Sequence, residues 1–155
     1  MPLTVERAKL RDVYEIAQLC RKYPKELGFV PLVTLKDSQQ HGELCVAIET
    51  PHQTHRAVLG FMKFHLRQDG QITLYSIAVR PTRKNKGIGK ALITYLKQHL
   101  KNVKGTKIKL KAPANIGANV FYTRCGFKHS GTDQGRKTPL NIWEWKLPAK
   151  EYQNE

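Results

Sequence analysis

Cysteine is scarce in this 155-residue chain, and acidic side chains are scarce where the chain is most basic. Cys20, Cys45 and Cys125 lie far apart, are odd in number and form no C-x-x-C, which excludes a disulfide framework and a cysteine-based zinc site. His52 and His55 sit in a polar stretch, PHQTHR, without a cysteine or carboxylate, so no metal is expected. No apolar run approaches the ~18 residues of a membrane span. The first residues include Glu6, Asp12 and Glu15 and no apolar stretch, so neither a signal peptide nor membrane attachment is expected. With few thiols, a reducing cytoplasm is the expected location. Repeats, low-complexity tracts and linkers are absent as well, and the length suits one domain.

What is abundant is positive charge. The chain carries 27 Lys+Arg against 12 Asp+Glu, a formal net charge of +15. Residues 1–50 balance, with seven bases and seven acids, whereas residues 51–143 hold eighteen bases against Asp69 and Asp133 alone. Such a block attracts phosphates, nucleotides, nucleic acid or an acidic protein face, and argues against a polycationic substrate.

Hydrophobic periodicity alternates between strand and helix. Leu3–Leu10 reads as a strand, and Asp12 as the cap of a helix burying Val13, Ile16, Ala17 and Cys20, stopped at Pro24. A second helix is expected around Leu32–Gln40, then a central strand Glu43–Glu49. Ala57–Arg67, a turn at Gln68-Asp69-Gly70 and Ile72–Val79 form a hairpin. A long helix follows over Gly87–Asn102, then a strand Thr106–Ala112 with Lys107, Lys109 and Lys111 on one face. A short helix Asn115–Cys125, stopped by Gly126, precedes strands Phe127–Gly131 and Leu140–Leu147. The pattern predicts one α/β domain with a mixed sheet.

The densest chemical signal is Val79-Arg-Pro-Thr-Arg-Lys-Asn-Lys-Gly-Ile-Gly-Lys-Ala-Leu92. It is a strand end, a proline turn and two glycines opening a helix, with Arg83, Lys84, Lys86 and Lys90 around them. Glycines let backbone N–H groups approach a ligand, and the helix N-terminus adds unsatisfied donors and partial positive charge, so the stretch is a phosphate cradle. A nucleotide P-loop fails, because Lys84 stands where the first glycine belongs and Ala91 where a hydroxyl would bind magnesium. A dinucleotide fingerprint fails at Leu92 and lacks the acidic ribose ligand about 20 residues on.

The loop resembles the acyl-CoA pyrophosphate motif of the GNAT superfamily of N-acetyltransferases, aligned as Lys84-Asn-Lys-Gly87-Ile-Gly89 and preceded by Val79-x-Pro81. Asn115-Ile-Gly-Ala118-Asn-Val-Phe121-Tyr122-Thr-Arg-Cys-Gly126-Phe127 is similar to a second segment of that superfamily. Lys84 replaces the usual Gln or Arg, keeping charge but losing the planar fork, and Asn85 replaces a common glycine. The resemblance implies the GNAT acyl-CoA N-acyltransferase fold, a single layered N-acetyltransferase domain over residues 1–155 with about seven strands and four helices. It also implies acetyl-CoA, or another acyl-CoA, as cofactor.

Residue by residue, the resemblance implies that Ile77, Ala78 and Val79 pair with the pantetheine arm through their backbone. Amides from Lys84, Asn85, Lys86, Gly87, Ile88, Gly89 and Lys90 would hold the pyrophosphate, and Asn115 would touch the cofactor arm. An acceptor amine would attack the thioester directly. Tyr122 is the candidate acid that protonates or hydrogen-bonds the departing thiolate. Helical spacing puts Ala118, Phe121 and Cys125 on one face, with Tyr122 turned about 100° away; Cys125 is expected to be a buried thiol. No carboxylate occurs between Asp69 and Asp133, so a base is unassigned, with His65, Glu26, Glu43, a water chain or a low-pKa amine as alternatives. The acceptor wall is expected to include Glu26, Leu27, Phe29, Tyr75 and Trp143. The acceptor itself is expected to be a small-molecule or protein amine, neutral or anionic, on an enzyme that is a monomer or homodimer. The alternative is a nucleic-acid-associated protein on the same fold, with the alternating β lysines as a phosphate track.

Overall fold

The structure, a computed structural model, describes residues 3–27, 29–49, 56–84, 86–114, 117–135 and 138–148. The elements run β1 (Leu3–Arg7), α1 (Leu10–Lys22), α2 (Pro24–Leu27), α3 (Leu32–Gln40), β2 (Leu44–Glu49), β3 (Val58–Leu66) and β4 (Gln71–Val79). A 3-10 turn (Pro81–Arg83) leads into α4 (Ile88–Asn102), then β5 (Lys107–Pro113), α5 (Ala118–Arg124), β6 (Lys128–Gln134) and β7 (Pro139–Trp145). Strands are hydrogen-bonded in the order β1-β2-β3-β4-β5-β7-β6, with β4 and β5 parallel. Among the described residues the expected mixed sheet of seven strands is present, with four helices of more than one turn and the single-turn α2. Among the described residues no helix is long and apolar enough to cross a membrane.

The chain forms two compact units, residues 1–65 with 76–96 and residues 66–75 with 97–155. In the first, α1 and α3 cover β2 and β3. Val13, Ile16, Leu35, Leu44, Val46 and Phe61 form an apolar cluster there, each no more than 1% exposed. β2 is buried along all but its last residue, as its continuous apolar run requires.

The start of α1 differs from the sequence reading. Lys9, not Asp12, is the N-cap, and Asp12 sits one turn in, accepting the Lys9 N–H at 2.7 Å. The reason is long-range: Arg56 donates to both Asp12 oxygens, at 2.9 and 2.8 Å, and also pairs with Glu6 of β1. One guanidinium thus ties β1 and the first turn of α1 to the chain entering β3. Burial opposes ionisation of Asp12, but the bonds from Arg56 and from the Lys9 N–H outweigh it and hold its carboxyl below the usual range.

In the second unit the β3–β4 connection turns through Gln68-Asp69-Gly70, with Gly70 at φ +88° and the Asp69 carboxylate accepting the Gln71 N–H at 3.0 Å. Strand β5 alternates as expected. Ile108, Leu110 and Ala112 are buried, and the intervening lysines face outward. The β6–β7 register shifts by one residue between His129 and Gly131, a bulge at the edge strand.

Because the folded Asp12 value is depressed, its contribution is complete above the unfolded value of about 3.9 and is lost as pH falls through the folded value. Asp12→Asn is expected to cost about 3 kcal/mol in urea unfolding at pH 7, because the part-buried Arg56 guanidinium loses one of its two carboxylate partners and keeps only Glu6. The deficit against wild type should shrink as pH drops below about 4. Equal stability at pH 7 would contradict this role.

Candidate active site

The phosphate-cradle reading rests on how β4 hands over to α4 within the first unit. Pairing of β4 with β5 runs over Gln71–Thr73, and Ile77, Ala78 and Val79 lie beyond it, half-buried. The next residue, Arg80, is clamped. Its N–H donates to the Leu59 carbonyl at 2.7 Å, and its guanidinium donates to the Val58 carbonyl at 3.0 Å and to Glu15 of α1 at 3.2 Å. The same Glu15 oxygen accepts the Val58 N–H at 2.8 Å.

Past the 3-10 turn, Lys84 and Lys86 are exposed, and Asn85 lies outside the described residues. Gly87 adopts φ +78°, and a Cβ there would meet nothing within 4 Å, so the space above the helix start is open. The Gly87 carbonyl accepts the Ala91 N–H at 3.0 Å, the first bond of α4. The N–H groups of Ile88, Gly89 and Lys90 therefore have no carbonyl one turn back. Ile88 is 3% exposed and anchors the turn, while Gly89 and Lys90 stay accessible.

A residue that the sequence reading passed over sets this geometry. A Cβ on Gly60 of β3 would stand 2.9 Å from the Ala78 carbonyl oxygen and 3.1 Å from Ile88 Cγ2. Its neighbour Leu59 forms a bulge, since Ala47 pairs with Gly60 and Ile48 with Val58. Phe61 points to the α1/α3 cluster, so Gly60 faces the other side, where α4 packs. A lone glycine inside a strand pattern was the available signal.

Two expectations for this unit change. Arg83 donates to Glu49 at 2.7 Å, so it braces the turn and leaves Lys84, Lys86 and Lys90 as the loop's cations without an acidic partner among the described residues. His65 and Glu43, offered as bases, bond each other at 3.0 Å. His65 lies six residues along β3 from Leu59, which holds Arg80, hence about 20 Å away at strand rise.

In the second unit, α5 ends in a Schellman motif: Gly126, at φ +89°, donates to Thr123 at 3.0 Å, and the Phe127 N–H donates to Tyr122 at 3.0 Å. Lys97 Nζ reaches the Cys125 carbonyl and stacks 4.7 Å from the Trp145 ring centroid. Asn115 lies outside the described residues.

The face expected inward on α5 is reversed. Tyr122 is 7% exposed, against half-buried Phe121 and Cys125. Its ring centroid lies 6.0 Å from Phe127 and 6.2 Å from Trp143. Burial, and to a lesser extent Cys125, push the phenol up to about 12. Among the described residues no hydrogen bond engages its hydroxyl.

Of the expected acceptor wall, Trp143 is buried and donates from Nε1 to Asn119 at 2.8 Å, so it packs beside Tyr122. Tyr75, on β4, is 58% exposed; Phe29, in the first unit, is 85% exposed, and Leu27 packs against the first unit's core. The Glu26 side chain lies outside the described residues. The proposed β5 phosphate track loses two of its three lysines: Lys107 pairs with Glu144 at 2.5 Å and Lys111 with Asp133 at 2.6 Å. Among the described residues no His, Cys, Asp or Glu cluster could hold a metal.

Gly60→Ala is expected to cost about 1–3 kcal/mol in urea unfolding, through overpacking against backbone. Gly87→Ala is expected to cost about 1–2 kcal/mol through its left-handed φ alone. Gly117→Ala, with φ −66° and open space, should stay within about 0.5 kcal/mol of wild type. A Gly60→Ala as stable as Gly117→Ala would remove the close-approach argument.

Residues 10–127 match the model of the Acetyltransferase (GNAT) family, a span that runs through both units. The uncharacterized N-acetyltransferase ycf52 of Porphyra purpurea is 23% identical over 136 residues, covering 80% of this chain and 75% of that one. Among solved structures, Ard1 from Thermoplasma volcanium superposes with a TM-score of 0.80 at 13% identity, covering 96% of this chain and 99% of that one. The PaiA N-acetyltransferase of Thermoplasma acidophilum, in complex with coenzyme A, gives 0.72 at 16% identity, covering 95% and 100%. With the family model matching well over half of its length, the chain belongs to the GNAT family of acetyltransferases.

Proposed function

We propose that the protein is an acetyl-CoA-dependent N-acetyltransferase, acting as one domain over residues 1–155, that acetylates a primary amine of a neutral or anionic acceptor. The observation that carries this is the start of α4: three amide N–H groups open behind Gly87, flanked by exposed Lys84, Lys86 and Lys90. That donor set fits a pyrophosphate, because helix-start amides and unpaired ammonium groups both favour multiple negative charge. When bound, acetyl-CoA supplies an activated thioester.

The chain's own residues do the rest. The backbone of Ile77, Ala78 and Val79 would hold the pantetheine arm, and one of its N–H groups would polarise the thioester carbonyl. Loop amides and Asn115 fix the cofactor's position, which lowers the barrier by proximity. Tyr122, whose hydroxyl no described residue engages, would be the hydrogen-bond donor to the thiol group that the reaction releases. Glu26, Phe29, Tyr75 and Trp143 remain the residues proposed for the acceptor wall. A small molecule or an α-amine of a peptide fits the low acid content better than a basic tail. A cytoplasmic monomer or homodimer completes the proposal.

Acetyl-CoA is expected to raise the melting temperature, reaching about 2.7 kcal/mol of added stability at a hundredfold excess over Kd. No shift at millimolar cofactor would sink the reading. Mass spectrometry of cell extract with labelled acetyl-CoA should identify the acceptor.

Tyr122→Phe should retain the cofactor-induced shift yet lower kcat about 10- to 100-fold, as loss of a hydrogen bond to charge. With the phenol protonated up to about 12, Tyr122 places no alkaline limb below that pH. The rate should instead rise through the acceptor amine's pKa, near 8 for an α-amine. A fall in rate between pH 8 and 10, absent in Tyr122→Phe, would contradict the assignment.

A further inference from the structure

We propose that the face of α1 beside Arg80 is a second anion-binding site, which takes a phosphate or carboxylate group of a reactant and is separate from the α4 helix start. A cavity of about 500 Å³ lies there, with Leu19 at its base and its polar lining from Arg11, Tyr14, Glu15, Gln18, Lys22 and Arg80. Positions 11, 14, 15, 18 and 22 recur at helical spacing, so a single stripe of α1 forms the wall.

The charge balance points to the ligand. Three cations face one carboxylate, and Glu15 is already occupied by the Arg80 guanidinium at 3.2 Å and the Val58 N–H at 2.8 Å. Arg11 and Lys22 form no salt bridge among the described residues; Lys22 only stacks 5.4 Å from the Tyr23 ring centroid. Arg80 is the central donor. Its side chain is 24% exposed, and its Nε and Nη2 are used on Val58 and Glu15. Nη1 has no partner among the described residues. A largely buried guanidinium with one free edge, held rigid by three bonds, is a preorganised donor for an oxyanion. Gln18 and the Tyr14 hydroxyl add neutral donors on the same stripe. Arg80 directly follows Val79, so the site adjoins the strand assigned to the donor arm, and the shared phosphate or carboxylate chemistry has two sources: the 3′-phosphate of coenzyme A or an acidic group on the acceptor. The adjacency to the donor arm rests on the function proposed above; the cavity and its charge do not.

The test is a titration of the ¹⁵N-labelled full chain with inorganic pyrophosphate, followed by NMR at the Gln18 side-chain amide, the Arg80 Nε–H and the Gly87 and Gly89 amides. Saturable shifts at Gln18 and Arg80 are expected in wild type and in Lys84→Gln/Lys86→Gln. In Arg11→Gln/Lys22→Gln they should need about tenfold more ligand, or more, while Gly87 and Gly89 respond as in wild type. Silence at Gln18 and Arg80, or a response that survives the α1 substitutions and disappears with the loop ones, would overturn the site. Coenzyme A and 3′-dephospho-coenzyme A then separate the sources. A Gln18 shift with the first alone assigns the cofactor's phosphate; a shift with pyrophosphate and with neither coenzyme assigns the acceptor. Gly87 and Gly89 that ignore coenzyme A would count against the acetyltransferase reading and leave the α1 site standing.

Discussion

The start of α4, proposed as a phosphate cradle, depends on how closely α4 can lie against β3, and a hydrogen atom at Gly60 sets that distance. With 2.9 Å available to a Cβ against the Ala78 carbonyl and 3.1 Å against Ile88, any side chain would lift both the last residues of β4 and the first turn of α4. The groups proposed to hold the cofactor are backbone groups on those two segments, so their position is fixed by packing and not by their own side chains. The Leu59 bulge and the Arg80 clamp work in the same direction. Together they end the strand, redirect the chain and fix where the helix begins. Lys84, where the resemblance has Gln or Arg, is compatible with the proposed site because the donors proposed there are backbone amides.

Net charge becomes informative only when pairs are removed. Arg56, Arg80, Arg83, Lys107 and Lys111 each face a carboxylate within 3.2 Å, and each pairing joins elements distant in sequence. These bases hold the fold together, Arg56 and Arg80 from partly buried positions where an unpaired charge would be costly. The loop lysines form no such pairs among the described residues. The surplus that the composition reports is therefore partitioned: scaffolding cations engage six of the twelve acids, and the cations left over include those at the helix start.

The elements were legible because their apolar periodicity is local. Val13, Ile16 and Cys20 lie where the 3.6-residue pattern puts them, β5 alternates, and Gly126 stops α5. The helix start after the proline turn was legible too, since Pro81 and Gly87 act on adjacent backbone. What escaped were effects of tertiary contact. Asp12 reads locally as a cap, but Arg56, 44 residues away, claims both its oxygens. Arg83 reads as a phosphate ligand, but Glu49 occupies it. The buried face of a seven-residue helix cannot be chosen from three apolar positions when the deciding partners, Phe127 and Trp143, come from beyond the helix. Gly60 was visible as a residue, yet its meaning required knowing what approaches it.

The reversal at α5 also narrows what Tyr122 would do in the proposed reaction. A phenol at about 12 is a weak acid toward a thiolate whose ordinary pKa is about 8.5. That gap makes complete proton transfer uphill. The same apolar surroundings that raise the phenol would raise the thiol and narrow that gap, since both lose their charged forms to desolvation. Until the two match, the favourable arrangement is a hydrogen bond from the Tyr122 hydroxyl to sulfur, with the proton on oxygen. The amine loses a proton on acylation, so the proton balance of the reaction does not require Tyr122 to part with its own. A buried phenol held between Phe127 and Trp143 suits that part: it stays protonated across the range in which amines are nucleophilic, and its packed ring fixes the donor's direction.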